Sequence, residues 1–262
     1  MSEEKKHAKA IGFIMTYNCA HLLQETYHRV PKVLDEIVIV DDGSKDVDEA
    51  RSIANRLGVS FFSHPHTGYG GNVRYALAKA IEMGGEYMVE IHGDGQFDPS
   101  IIPEALKRVR EKEYDFFIGS RFTNLLQPLR DGMSFARYFA NVGLSFIDRL
   151  ILRAPLSEYN AGFRIYSRRL VQTVPLHGIP VFEKMSSGHI YSFQIIAQAA
   201  YFKMKFGEMP IRADYKKEHT SISISQSTVY AFQTFYVLFL FILARLGLQT
   251  PLFKHKRPES IT

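Results

Sequence analysis

An α/β fold, a mostly parallel sheet with helices on both faces, is predicted by three features of this 262-residue chain. Short apolar runs alternate with stretches of helical periodicity from residue 10 to 118, the rhythm of βαβ units. Several of those runs end in polar tips rich in Asp, Asn and Gly, which the topology would bring to one edge of the sheet. Apolar content of 46% and charged content of 23% give the chain enough core for one large domain, or one domain with an appendage.

The apolar runs at 10–15, 36–40, 60–63, 87–91 and 115–118 read as strands. Helical patterns fall between them at 20–30, 46–57, 70–84 and 99–112. The first strand ends in Thr16-Tyr17-Asn18 and the second in Asp41-Asp42-Gly43-Ser44. Asp41 and Asp42 suit hydrogen bonding to a base N–H and to ribose hydroxyls, although Asp42 or Ser44 could equally cap the helix that follows. The loop His66-Thr67-Gly68-Tyr69-Gly70-Gly71-Asn72 enters a helix, where backbone amides could approach a phosphate. It does not match G-x-G-x-x-G, and no P-loop motif occurs.

The fourth strand runs into His92-Gly93-Asp94-Gly95-Gln96. That alternation can converge one imidazole and two oxygens on a divalent cation carrying a diphosphate. In isolation it could equally be a turn in which Asp94 caps a backbone amide. A single cysteine, Cys19, excludes an internal disulfide framework and fits a reducing compartment. The polar N-terminus reads as no signal peptide.

Charge is unevenly placed. Residues 1–120 carry 14 Lys/Arg against 19 Asp/Glu, and residues 121–262 carry 18 against 8. The second half is therefore suited to an anionic surface, and with no nucleic-acid motif present its apolar content favours lipid. The stretch 133–153 interleaves aromatic and aliphatic residues with Arg137, Arg149 and Arg153. It reads as a helix lying on a membrane surface or as an ordinary core helix with a basic face. Helix and strand follow at 187–202 and 207–211. From 229 to 248 only Gln233, Thr234 and Arg245 interrupt an apolar run, before the basic Lys254-His255-Lys256-Arg257. That run could cross a bilayer, lie in its interface or pack in a homodimer; an interfacial or partner-buried placement is the expectation.

Taken in order, these motifs resemble family 2 glycosyltransferases of the GT-A fold, and among them the dolichol-phosphate and polyprenyl-phosphate mannosyl- and glucosyltransferases. The matching residues are Thr16-Tyr17-Asn18, the run ending Asp41-Asp42-Gly43-Ser44, Gly68 to Asn72, and His92 to Pro99. Gly119-Ser120-Arg121-Phe122 and Asn160-Ala161-Gly162-Phe163-Arg164-Ile165-Tyr166 complete the set, which covers residues 10 to about 225. The resemblance implies a GT-A domain over 1–224, with a nucleotide-sugar half at 10–118 and an acceptor half at 119–224. The apolar helix and basic tail at 225–262 would be membrane-interfacial or dimerising. It implies inverting transfer of a hexose from GDP-mannose or UDP-glucose to a polyprenyl phosphate, by a hexosyltransferase held peripherally at the cytoplasmic face of the membrane. Thr16, Tyr17, Asn18, Asp41, Asp42, Gly43, Ser44, Gly70, Gly71, Asn72 and His92 would bind substrates, and Asp94, Arg121 and Arg164 would be catalytic; Arg137 joins the substrate-binding residues by its position in the basic helix, outside the family motifs. A manganese or magnesium ion would sit on Asp94 and Gln96, with His92 either a third ligand or a contact to the nucleotide from outside the metal shell.

Two departures from the family pattern stand out. Cys19 replaces the usual Glu after Tyr-Asn, and His92 replaces the first Asp of the D-x-D motif. Histidine suits manganese and is unusual for magnesium. No Glu-Asp dipeptide occurs, and with no tryptophan in the chain the Q-x-x-R-W motif of processive synthases is impossible. A phosphate acceptor needs no general base, since its second pKa is about 6; cations to hold it would suffice. Alternatives at this point are transfer to a saccharide or soluble acceptor, a nucleotidyltransferase, and a non-catalytic nucleotide-sugar-binding module.

Overall fold

The structure, a computed structural model, describes residues 8–95, 97–185, 189–212 and 224–254. Among them a seven-stranded sheet runs in the order β3-β2-β1-β4-β6-β5-β7. Its strands are β1 (Ala10–Thr16), β2 (Glu36–Asp41), β3 (Ser60–Ser63), β4 (Tyr87–His92), β5 (Phe116–Ser120), β6 (Arg164–Ser167) and β7 (Phe206–Pro210). β1, β2, β3 and β4 are parallel, β5 and β7 are parallel, and β6 runs antiparallel to both of its neighbours.

Alternation along the strands feeds two cores. Ile11, Phe13 and Met15 of β1 point to one face, and Ala10 and Ile14 to the other. The helices Ala20–Arg29, Val47–Leu57 and Ile102–Lys112 close the second face, with Leu23, Ile53 and Leu106 among the buried contacts. The helices Tyr69–Glu82 and Tyr191–Tyr201 cover the first. Helix Ile224–Arg245 joins that same core through Val237, Leu238, Phe241 and Ala244, so it is built into the domain.

The helix expected at 99–112 begins as a 3-10 turn, Pro99–Ile101, which Asp98 caps by accepting from Ser100 N at 3.0 Å. The strand expected at 115–118 runs on through Ser120. β6 was not legible as a strand. It is four residues long, it starts on an arginine, and its pairing partners lie far away in sequence. Its register sets Arg164 opposite both Glu90 and Ile118, between the two halves of the sheet.

Candidate active site

Strands β1, β2 and β4 end level with one another. Thr16 lies beside Asp41, and Met15 beside His92, so the expected polar tips meet at one edge. The Tyr17-Asn18 turn is locked to the turn after β2. Asn18 adopts positive φ, its N–H donates to Ser44 Oγ at 2.9 Å, and its Oδ1 accepts from Lys45 N at 2.8 Å. Asp46 accepts from Ala20 N at 2.8 Å, a tie between the same two loops. Thr16 is buried, with Oγ1 3.2 Å from Cys19 Sγ. Tyr17 projects from this frame and stacks on His66, ring centroids 4.4 Å apart.

The two aspartates do different work. Asp41 accepts through Oδ2 from Gly43 N, Ser44 N and Ser63 Oγ at 2.9–3.1 Å, while its buried Oδ1 has no partner among the described residues. Gly43 serves this turn with φ 66°, and a Cβ there would come within 2.6 Å of His66 N. Asp42 is saturated. It accepts from Thr67 N at 2.8 Å, Thr67 Oγ1 at 3.2 Å and Gly68 N at 2.9 Å, and pairs with His66 Nδ1 at 2.9 Å. Asp42, expected to bind substrate or to cap the following helix, thus anchors the loop that carries Thr67 and Gly68. The same bonds consume the Thr67 and Gly68 amides expected to cradle a phosphate. Gly70 and Gly71 are needed for packing instead, since a Cβ would sit 2.6 Å from Tyr191 Cβ and 2.0 Å from Thr67 Oγ1 respectively. Asn72 is buried, with Oδ1 3.1 Å from His64 Nε2.

At the tip of β4, alternation places Glu90 and His92 on one strand face. Glu90 is fully buried and forms the centre of a network that the sequence reading missed. It accepts from Tyr69 Oη at 2.7 Å and from Tyr166 Oη, and lies 3.1 Å from His92 Nε2. Arg164 Nη1 donates to Tyr69 Oη at 2.7 Å. Burial pushes Glu90 toward its neutral form, but the His92 hydrogen bond and the Arg164 charge outweigh this and hold its pKa below the ordinary value. Burial likewise opposes the His92 cation, and the bond to Glu90 and the charges of Glu90 and Asp94 overcome it, raising the imidazole pKa. A glutamate inside an otherwise apolar strand, two residues before His92, was the available signal.

These contacts show how two of the expected site residues are held. His92 turns its Nε2 to Glu90 Oε1 at 3.1 Å. Arg164, only 1% exposed, has its guanidinium turned to Tyr69 and Tyr166. Arg121 is similarly engaged. Its backbone N–H donates to Glu158 Oε2 and its Nε to Oε1, both at 2.7 Å, with Nη2 also on Oε1. Glu158, fully buried, is a second residue that the sequence reading did not single out. Arg137 is exposed on helix Phe135–Leu152.

Asp94 is half-buried just beyond β4, and Gln96 lies outside the described residues. Among the described residues no three His, Cys, Asp or Glu side chains converge. Magnesium-like ions commonly take one or two carboxylates, water and substrate phosphates. The Asp94 carboxylate fits a cation shared in that way with a diphosphate, without a closed protein cage.

A mostly parallel sheet that delivers these tips to one edge has the arrangement of the GT-A fold. Residues 13–174 match the model for "Glycosyl transferase family 2", and the chain belongs to that family. It is 25% identical over 227 residues to the UDP-N-acetylglucosamine–dolichyl-phosphate N-acetylglucosaminyltransferase of Methanococcus voltae, covering 79% of this chain and 84% of the relative. It is 26% identical to the undecaprenyl-phosphate mannosyltransferase of Micrococcus luteus, with coverages of 78% and 82%. Glucosyl-3-phosphoglycerate synthase from Mycobacterium tuberculosis, solved with Mn2+, UDP and phosphoglyceric acid, superposes with TM-score 0.61 at 12% identity. That match covers 94% of this chain and 81% of the synthase, a likeness of fold.

Proposed function

We propose that this glycosyltransferase moves a hexose from a nucleotide sugar to a polyprenyl phosphate, inverting the anomeric carbon. The observation that carries the reading is the state of two carboxylates among the described residues, one at the end of β4 and one shortly before β6. Glu90 and Glu158 are both fully buried and engaged, Glu90 with tyrosines and His92, Glu158 with Arg121. Neither is placed to deprotonate a sugar hydroxyl, whereas a phosphate monoester arrives already ionised near neutral pH. The acceptors printed in the names of the Methanococcus and Micrococcus relatives are of this chemistry.

In this reading the donor lies over the ends of β1 and β2, against Tyr17 and the turns built by Asn18, Asp41, Gly43 and Ser44. Asp94 would hold a divalent cation together with the donor's diphosphate. Bound there, the cation supplies charge neutralisation for the leaving group. His92, whose pKa Glu90 raises, lies at the same strand end, and the buried Arg164 fixes Glu90 in place through Tyr69. Arg137 is the exposed cation proposed for the acceptor phosphate, with Arg121 contributing its field from the Glu158 pair.

Mass spectrometry of lipid products tests this. The protein is incubated with polyprenyl phosphate, dephosphorylated polyprenol or free sugars, and a panel of GDP- and UDP-sugars. Product on the phosphate alone is expected, and equal product on polyprenol or a free sugar would favour a saccharide or soluble acceptor. Asp94→Asn should lower turnover by roughly a hundredfold, as leaving-group charge goes uncompensated.

A further inference from the structure

Two neighbouring helices turn a stripe of large apolar side chains outward. On Phe135–Leu152 the buried residues are Ser145, Asp148 and Leu152, two of the three polar. The outward face bears Phe135, Phe139, Phe146 and Leu150, each about as exposed as Phe139 at 67%. Helix Ile224–Arg245 buries Gln233 and Thr234 beside its core residues, and turns Phe232, Phe235, Phe239 and Ile242 outward, Phe232 being 72% exposed. The two helices pack on each other, so the stripes lie on adjoining elements. Exposed apolar area on this scale marks an interaction site.

The charges around it choose the occupant. Arg137, Arg149, Arg153, Arg245 and Lys254 are exposed on or beside these helices. The only acidic residue on either helix is the fully buried Asp148. A second copy of the chain would bring the same cations against themselves; anionic headgroups would neutralise them. Segment Thr228–Arg245 is long and apolar enough to cross a membrane. Yet Val237, Leu238, Phe241 and Ala244 along it are packed in the domain core. A helix embedded in a folded domain along one side cannot also traverse a bilayer with that side in lipid.

We infer that the outward faces of helices Phe135–Leu152 and Ile224–Arg245 form a single seat lying in the plane of one anionic leaflet, aromatics in the acyl boundary and arginines at the headgroups. Helix Ile224–Arg245 also reaches the Asn160–Tyr166 segment that leads into β6, since Tyr230 Oη donates to Asn160 Oδ1 at 2.7 Å. The seat thereby fixes the site's position above the surface from which a polyprenyl phosphate would come. The inference builds on the polyprenyl-phosphate reading, but its test contains neither acceptor nor donor, so the two can fail separately.

Because the chain has no tryptophan, Phe139→Trp and Phe239→Trp are single-fluorophore reporters for the full-length protein. Each is mixed with vesicles of phosphatidylglycerol and phosphatidylcholine, brominated either near the headgroup or near the chain end. The seat predicts that both reporters are quenched more by the shallow bromine, and that binding weakens about tenfold in pure phosphatidylcholine or high salt. Phe146→Glu and Phe239→Glu should each weaken vesicle binding by a similar factor. If either charged variant misfolds, the conservative tryptophan reporters still decide. Strong quenching of the Phe239→Trp reporter alone by the deep bromine would mean a span and overturn the inference. So would the absence of quenching, whether light scattering then finds a dimer or a monomer.

Discussion

At position 148 an aspartate carboxyl sits on a helix with no exposure and, among the described residues, no partner for either oxygen. Burial alone raises its pKa from 3.8 to about 8. The sign of the consequence is fixed by linkage. Between those values the unfolded chain has released the proton and the folded chain retains it, so folding stability falls as pH rises from about 4 to 8. Asp148→Asn removes the titration while keeping the shape. Urea denaturation should show a flatter pH profile and a gain on the order of a few kcal/mol at pH 8. An unchanged slope would mean that the native carboxylate is ionised and paired. Glu90 is the opposite case, a buried charge that is fully partnered. Glu90→Gln leaves His92 and Arg164 uncompensated and should destabilise the protein by about 3–5 kcal/mol, read by the same denaturation at pH 7. The midpoint would stay put if the network were only a neutral hydrogen-bond cluster.

At the scale of elements, the donor edge depends on one loop pinned to one side chain. The stretch 66–68 hangs on Asp42, and helix Tyr69–Glu82 starts directly from it with Gly68 as its N-cap. Gly71→Ala would drive a methyl group to within 2.0 Å of Thr67 Oγ1 and 2.4 Å of Thr67 Cβ. Thr67 must then move, releasing Asp42 and the His66 ring on which Tyr17 stacks. Calorimetry with a nucleoside diphosphate should show about tenfold weaker binding. Urea denaturation should show at most the roughly 1–3 kcal/mol of local overpacking. Unaltered affinity would separate this loop from the nucleotide.

At the scale of the whole molecule, the proposed reaction couples a soluble donor edge to a lipid-facing side. With a phosphate nucleophile and no enzymic base, the acidic limb of kcat/KM should follow the acceptor's second ionisation, at about pH 6. His92, whose pKa is raised, should shape the alkaline side, because its positive charge is lost as pH rises through the folded value. His92→Gln should remove that alkaline limb and leave the acidic one. An acidic limb displaced to about pH 4, near an ordinary carboxylate, would identify a carboxylate base and count against the phosphate acceptor.

Periodicity and turn chemistry determined much of this protein without any structure. Residues 10–118 announce their strands and helices because each is specified locally, by alternation, by helical spacing and by Asp, Asn and Gly at the strand ends. The sheet then brings Thr16, Asp41 and His92 to one edge as parallel pairing requires. What tertiary structure alone decided is how the polar groups are spent. Asp42 is an anchor, Arg121 the partner of the buried Glu158, Arg164 the partner of Tyr69 and Tyr166, and His92 the partner of Glu90. The Asp42 and Arg121 assignments rest on residues 25 to 37 positions apart, and that of Arg164 on the antiparallel insertion of β6, a four-residue strand with no local signature. A charged side chain looks the same in a sequence whether it meets substrate or another charge; only packing decides which partner desolvates it.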